Sequence, residues 1–228
     1  MRRSAAVPLA AWIATAAAWG KPPPTDYLTW SEDRCRQIGD FMRRGGRAGS
    51  AFSLRGLHSE RAFNYKLRAT WLTPEVIRAT ARQAQLESAL SDEETAALVE
   101  QADEMAHTVF LVEIDPNEGS GVIPLDWVAM LRADTSEPAV TRGAKERSLR
   151  RVRALAGTHR RDYSYDRFWV AFPLISDDGE VTIPPEAGNV ELVVRIRTQT
   201  GTVSFPVPTS VRQKAAALQS ERPTEGAF

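Results

Sequence analysis

Apolar and polar residues alternate strictly over residues 63–71. Phe, Tyr, Leu, Ala and Trp occupy the odd positions, and Asn, Lys, Arg and Thr occupy the even ones. Successive side chains of a β-strand point to opposite faces of the sheet, so a period of two indicates a strand with one buried face. The pattern predicts a half-buried strand that ends at Trp71 and points its aromatic side chains into the core.

Further strand signals predict an antiparallel β-sandwich. They occur at residues 109–114, 125–132, 167–174, 190–197 and 202–207, and more weakly at 51–55. The segments 190–197 and 202–207 are joined by Thr-Gln-Thr-Gly, a connection typical of a β-hairpin. About seven short strands separated by turn residues are typical of two antiparallel sheets rather than of one parallel sheet.

The period changes after Trp71 and predicts two consecutive helices. Thr73 is followed by Pro and Glu, which is a favourable helix start because Thr caps free amides, Pro fits the first turn and Glu complements the helix dipole. This helix is expected to run to about Leu90. Ser91 and Glu94 then form a capping box for the second helix. The fold class is therefore α+β, a sandwich of about seven strands with a helical hairpin inserted at residues 73–106.

The regions before and after the predicted sandwich are predicted to be an export signal, a polar N-terminal segment and a polar tail. Residues 1–20 begin with a basic pair and continue with a charge-free run at residues 4–18, the pattern of an export signal; an uncleaved N-terminal anchor and an organelle transit peptide are the alternatives. Residues 21–50 are polar and contain one predicted surface helix. The sandwich-like domain is expected over residues 51–210. Residues 211–228 are expected to form a polar tail that frays. The predicted location is periplasmic or secreted.

Composition narrows the classes of function. Basic and acidic residues both number 29, so no overall charge indicates a nucleic-acid partner. The single cysteine, Cys35, excludes an intramolecular disulfide framework. The three histidines lie in different segments without the spacing of a zinc site, and His107 is expected at a helix C-terminus. No catalytic constellation is visible in the sequence.

A basic segment at residues 142–161 is the strongest local charge feature. Its only acidic residue is Glu146, and its apolar residues lie along one side of a predicted helix. We expect an amphipathic basic helix that contacts an anionic envelope surface, such as phospholipid headgroups or acidic glycans, or that is simply solvated. The residues expected at this contact are Arg147, Arg150, Arg151 and Arg153.

Two further groups have the chemistry of ligand sites. Asp115, Asn117 and Asp126 follow the alternating oxygen spacing of a calcium loop, although a turn rich in Asp, Asn and Gly explains the same residues. Tyr163 and Tyr165 are candidates for a sugar-binding platform, and packing between the two sheets is the alternative. Calcium is the only cofactor that the sequence suggests.

These observations predict an exported, non-catalytic binding or scaffolding module at the cell envelope. The alternative is an envelope hydrolase or a calcium-dependent glycan-binding protein, with a site assembled from loops. A cluster of His107, Asp126 or His159 with another acid in one cleft would favour the enzyme.

Overall fold

The computed structural model describes residues 25–48, 65–116, 123–136, 139–176 and 178–220. The predicted export signal, the weak strand at residues 51–55 and Asn117 of the predicted calcium loop lie outside these ranges. No helix within them is long and apolar enough to cross a membrane.

The described chain forms helices and strands in the following order. The helices are α1 (Glu32–Gly45), α2 (Pro74–Ser88), α3 (Asp92–Asp103) and α4 (Thr209–Ser220). The strands are β1 (Arg47–Ala48), β2 (Tyr65–Trp71), β3 (His107–Pro116), β4 (Val128–Ala133), β5 (Val140–Arg142), β6 (Ala144–Lys145), β7 (Asp166–Pro173), β8 (Asn189–Ile196) and β9 (Gln199–Pro206). Short 3₁₀ helices are formed by Thr25–Thr29, Ser148–Arg151 and Arg153–Leu155.

The strands form two antiparallel sheets, which confirms the predicted mixed α+β class. The order is β1-β2-β3-β7-β6 in the five-stranded sheet and β5-β4-β8-β9 in the four-stranded sheet. These nine strands of the described residues exceed the predicted seven or so. Three of them, β1, β5 and β6, contain two or three residues, which is too short for a readable periodicity.

Aromatic rings from both sheets meet in the core. Trp71 of β2 stacks on Phe110 of β3 at 5.2 Å between ring centroids, and Phe205 of β9 lies 6.2 Å from Trp71 and 5.5 Å from Phe110. Trp71 is fully buried, as the alternation predicts, and its Nε1 donates a hydrogen bond to Thr108 Oγ1 at 2.6 Å. The indole therefore contributes packing and leaves no unpaired donor in the core.

The predicted helix starts are confirmed. The Thr73 hydroxyl accepts a hydrogen bond from the amide of Val76 at 3.4 Å. Ser91 Oγ accepts from the amide of Glu94, whose carboxylate accepts in return from the Ser91 amide, so the capping box is complete. Ala89 ends α2 with a left-handed backbone at φ 51°, and two residues separate it from the start of α3 at Asp92.

The structure corrects three expectations. His107 does not end a helix; it is the first residue of β3, because α3 stops at Asp103. The tail expected to fray begins with α4, whose Val211 and Ala215 are buried. The basic helix is absent, and residues 140–155 instead form β5, β6 and two 3₁₀ helices.

Three apolar side chains anchor the basic segment to the core. Leu149 lies in the first 3₁₀ helix and Leu155 in the second, and Val152 joins the two helices with an extended backbone at ψ 103°. All three pack against the hydrophobic core, and Leu155 is fully buried. These contacts and the break at Val152 replace the continuous amphipathic helix that the sequence predicts.

Replacing Trp71 with Ala tests the register of β2. We expect Trp71→Ala to lower the free energy of unfolding by about 3 to 5 kcal/mol, because it removes a fully buried indole and leaves a cavity. Leu125→Ala is the control, since Leu125 is 86% exposed and its loss should cost less than about 0.5 kcal/mol. Urea denaturation measures both, and equal midpoints for the two variants would contradict this register.

Candidate functional site

A buried carboxylate lies at the centre of the five-stranded sheet. Glu113 of β3 is 2% exposed and pairs in register with Arg68 of β2 and Arg167 of β7. Its Oε1 accepts a hydrogen bond from Arg167 Nε at 3.1 Å, and its Oε2 accepts from Arg43 Nη2 of α1 at 3.3 Å. A carboxylate in the interior needs such partners, because burial without them carries a large desolvation penalty.

Arg68 faces the same side of the sheet but has different partners. Its Nη1 donates to Asp162 Oδ2 at 2.8 Å, and its guanidinium lies 3.9 Å from the ring centroid of Tyr165. Asp162 also accepts a hydrogen bond from the amide of Ser164. The Ser164 amide and then Arg68 hold the pKa of the Asp162 carboxyl below its usual value. The predicted polar face of β2 is thus tied to the loop before β7.

A histidine and an aspartate join this arrangement at α1. His159 Nε2 lies 3.5 Å from Asp40 Oδ1. Burial, and to a lesser degree the charge of Arg43, lower the pKa of His159, although Asp40 and a hydrogen bond to the backbone of Gly39 act in the opposite direction. We call Asp40, Arg43, Glu113, His159 and Arg167 the Glu113 cluster.

Gly39 allows the close contact between α1 and the segment that carries His159. A Cβ atom at position 39 would lie 1.5 Å from Thr158 Oγ1, so only glycine permits this approach. Thr158 Oγ1, Arg43 Nε and His159 Nε2 are buried and have no hydrogen-bond partner among the described residues. The cluster therefore retains polar atoms with unused hydrogen-bonding capacity.

Sequence reasoning missed the Glu113 cluster. Arg43 and Glu113 are 70 residues apart, and nothing in the local pattern connects them. One signal was available: Glu113 interrupts the otherwise apolar run at residues 109–114. An acid inside a strand that is buried on both faces requires a cationic partner from elsewhere in the chain.

The arginines predicted to contact an anionic surface are all exposed. None of them forms an ion pair with a residue in the described ranges, and Arg153 makes a 3.4 Å hydrogen bond to Ser88 Oγ. Leu155 anchors their segment to the core. Its side chain is fully buried, and its carbonyl accepts a hydrogen bond from Trp169 Nε1 at 3.0 Å. These exposed residues are Arg147, Arg150, Arg151 and Arg153.

The two tyrosines proposed as a sugar platform lie in different environments. Tyr163 is 90% exposed, and the guanidinium of Arg161 lies 5.5 Å from its ring centroid. Tyr165 is 5% exposed, and Arg68 covers its ring. Of these two rings, only that of Tyr163 faces solvent, and a sugar-binding platform stays a prediction.

The predicted calcium ligands are only partly described. Asp115 forms an ion pair with Lys66 at 3.2 Å, and Asp126 is exposed in the turn before β4. Within the described ranges no group of three or more His, Cys, Asp and Glu side chains is arranged to hold a metal ion. Because Asn117 lies outside these ranges, the calcium loop stays a prediction.

Comparison with known proteins adds no assignment. No family model matches the chain, and no curated protein or solved structure matches it significantly. The function is therefore argued from its own residues.

Removing the charge of Glu113 tests the cluster. We expect Glu113→Gln to lower the free energy of unfolding by about 3 to 5 kcal/mol, because it leaves two largely buried guanidiniums without their carboxylate. The control is Glu191→Gln, since Glu191 of β8 pairs with Arg132 of β4 on the solvent-accessible face of the sheet, and this ion pair should contribute about 0 to 1 kcal/mol. Urea denaturation distinguishes the two, and a Glu113→Gln variant as stable as the control would mean that the cluster contributes nothing.

His159 should make stability dependent on pH. Its pKa in the folded chain is lowered, so below about pH 6.5 the unfolded chain binds a proton that the folded chain resists. We expect the free energy of unfolding to be constant above this pH and to fall as the pH decreases below it, with a slope of at most about 1.4 kcal/mol per pH unit.

The measurement is urea denaturation at several pH values between 5 and 8, a range around the ordinary histidine pKa of about 6.5. His159→Gln should reduce the acid-dependent loss. His107→Gln, which changes an exposed histidine, should retain it. Identical pH profiles for the two variants would exclude His159 as the titrating group.

Proposed function

We propose that this chain is an exported, non-catalytic binding module that docks on an anionic phospholipid surface of the cell envelope. The observation that carries the proposal is the density of exposed, unpaired cations in residues 147–153, which we call the arginine-rich segment. Export is proposed from the sequence pattern of residues 1–20.

The anchoring of the arginine-rich segment supports this function. Its two 3₁₀ helices are fixed to the core through Leu155 and Trp169, so the backbone that carries the guanidiniums is held in place before any ligand binds. Arg147, Arg150 and Arg153 recur every three residues, the same spacing as the buried apolar side chains. A surface that is ordered in advance loses less conformational entropy on binding.

Electrostatics favours an anionic partner. Between residues 142 and 161 the only acid is Glu146, and the Ser148 hydroxyl lies 3.5 Å from its carboxylate. Each basic residue close to an anionic membrane is worth roughly 1 kcal/mol. Arg161 adds a further cation, and its guanidinium lies over the ring of Tyr163. The exposed Tyr163 has an apolar face and a polar end, which suit the headgroup region of a membrane.

A face-to-face sandwich of the two sheets is part of the proposal. The contacts of Phe205 in the four-stranded sheet with Trp71 and Phe110 in the five-stranded sheet support it, because they join rings from different sheets. Trp127, the residue before β4, adds a contact with Phe168 of β7 at 5.1 Å. Such a scaffold would hold the arginine-rich segment rigidly against one layer of the fold.

An envelope hydrolase remains the second candidate, and the pairing of His159 with Asp40 is the observation that favours it. A general base needs a nucleophile or a water molecule within hydrogen-bond reach. His159 Nε2 is buried and has no hydrogen-bond partner among the described side chains, so no Ser, Thr or Cys of those ranges is poised against it. We therefore place the hydrolase second.

Substitution of the arginine-rich segment tests the binding function. Replacing Arg147, Arg150, Arg151 and Arg153 together with Gln should weaken binding to anionic vesicles by about 4 kcal/mol, or nearly three decades in affinity. Wild-type binding should weaken with added salt, because screening at physiological ionic strength limits exposed charges to about 8 Å. Co-sedimentation with vesicles of phosphatidylglycerol and phosphatidylcholine across a salt series measures both effects.

The control removes the same charge elsewhere. Arg44, Arg47, Arg195 and Arg197 are exposed and lie outside the segment, so their joint replacement with Gln should weaken binding much less. An acidic polysaccharide in place of the vesicles identifies a glycan as the partner if it alone is bound. Equal binding to neutral and anionic vesicles, or equal losses in the two quadruple variants, would reduce the arginine-rich segment to a solvated surface.

A further inference from the structure

The strands at the sheet edges differ in length and charge. The edge strands are β1 and β6 in the five-stranded sheet and β5 and β9 in the four-stranded sheet. β1, β5 and β6 contain two or three residues each, and each includes a basic residue: Arg47, Arg142 or Lys145. Short strands and charged side chains are the usual means by which a protein prevents a sheet edge from pairing with another chain. β9 has neither protection, because Gln199–Pro206 is eight residues long and uncharged.

The backbone of β9 has one open side. The amide of Val207 donates a hydrogen bond to the carbonyl of Gly188, and hydrogen-bonded pairs alternate with non-bonded pairs along an antiparallel ladder. In the register of β9 with β8, the residues Thr200, Thr202 and Ser204 therefore direct their N–H and C=O groups away from β8. All three residues are exposed.

The neighbouring elements leave this edge unpaired. α1 and β1 pack beside β9, and Gly46 at their junction approaches the ring of Phe205, which points into the core. Within the described residues, no element forms a backbone hydrogen bond with the outward groups of Thr200, Thr202 or Ser204. The four-stranded sheet therefore ends in a row of backbone donors and acceptors that face solvent.

We propose that β9 pairs antiparallel with β9 of a second copy of this chain, so that the two four-stranded sheets join into one continuous sheet. A twofold axis at Thr202 brings the same edge of both copies together, which makes the contact isologous. Thr202 then faces Thr202 of the second copy, and Thr200 faces Ser204 in both directions. Each of these hydrogen-bonded pairs exchanges two backbone hydrogen bonds, so the contact contains about six. Main-chain bonds of this kind are the basis of strand addition at open sheet edges.

The positions of the outward groups select this register. With the axis at Thr202, every outward residue meets an outward residue of the other copy. With the axis at Gly201 or Val203, only two of the three outward residues would pair with each other. Pro206 has no N–H to donate and lies beyond the paired residues, so it ends the ladder.

The chemistry of the edge favours a second copy as the occupant. A twofold axis places identical residues near each other, and the outward side chains of β9 are hydroxyls that form favourable pairs across strands. At β1, β5 or β6 the same symmetry would bring basic residues together. In β8, Arg195 lies beside Thr200 and Glu191 beside Ser204, so the flanking charges of the two copies are opposite in sign. The proposal is independent of the arginine-rich segment and goes beyond the proposed function.

Sedimentation of the full chain tests for the dimer. We expect a concentration-dependent species of twice the chain mass of 25.2 kDa. Thr202→Lys should weaken the dimer at least about tenfold, because two like charges then lie opposite each other at the twofold axis. Thr202→Pro should have a similar effect because it removes the central N–H. This N–H points away from β8, so the ladder within the chain is retained.

Two further variants are the controls. Thr202→Val keeps the β-branched shape and the backbone of the edge, and the dimer should persist. Val193→Lys introduces the same charge on the same face of the sheet, but on β8 beside Thr202 rather than on the edge. It should also leave the dimer intact. Urea denaturation establishes that each variant is folded.

Disulfide formation tests the register. The Cα atoms of a hydrogen-bonded pair are about 5.5 Å apart, which is within the range of a disulfide. Thr202→Cys should therefore oxidise to a covalent dimer. Thr200→Cys alone should not, because position 200 faces position 204 of the other copy, but its mixture with Ser204→Cys should cross-link. The native Cys35 is fully buried and does not compete.

Three results would overturn the proposal. A chain that stays monomeric in sedimentation would leave the edge of β9 to a strand of another protein. A dimer that persists in both Thr202→Lys and Thr202→Pro, or that is lost in Val193→Lys, would show that the contact lies elsewhere. Efficient cross-linking of Thr200→Cys on its own would exclude a twofold axis at Thr202.

Discussion

The complete burial of β3 is the constraint on which the rest of the structure depends. Residues 108–114 are all buried, so this central strand is covered on both faces. One face contacts aromatic rings that include Phe205 of the four-stranded sheet, and the other carries Glu113, which is held by Arg43 and Arg167. A buried apolar strand with one acid requires apolar side chains packed against both of its faces. It also requires cationic side chains next to the acid.

This constraint explains how the surface elements are positioned. Arg43 ties α1 to the centre of the sheet, and Arg68 ties β2 to the loop before β7 through Asp162. The 3₁₀ helix Arg153–Leu155 packs against α2, and the Leu155 carbonyl accepts a hydrogen bond from Trp169 Nε1 of β7. The exposed arginines are therefore presented by a backbone whose position follows from the packing of the sheet beneath it.

The features of the fold that depend on neighbouring residues could be predicted from the sequence. The features that depend on contacts between distant residues could not. The alternation before Trp71, the Thr73 N-cap of α2 and the capping box of α3 depend on neighbouring residues, and the structure confirms them. The Arg43–Glu113 pair joins residues far apart in the chain, and α4 is stabilised by Val211 and Ala215 in the core rather than by its polar composition. The basic segment has the charge that the sequence indicates, but its apolar side chains pack against the core from two short 3₁₀ helices that are separated at Val152, rather than from one α-helix.

Gly39 determines where α1 lies along its own axis. The missing Cβ gives Thr158 a place directly against the helix backbone, and a screw movement of α1 by one residue, about 1.5 Å along its axis and about 100° around it, would bring Ile38 or Asp40 to that point. Either side chain would push the helix away from the sheet and draw Arg43 out of reach of Glu113. The uncharged contact between Gly39 and Thr158 thus sets the alignment of Arg43 with Glu113. The absence of a side chain at this one glycine fixes the position of the whole of α1.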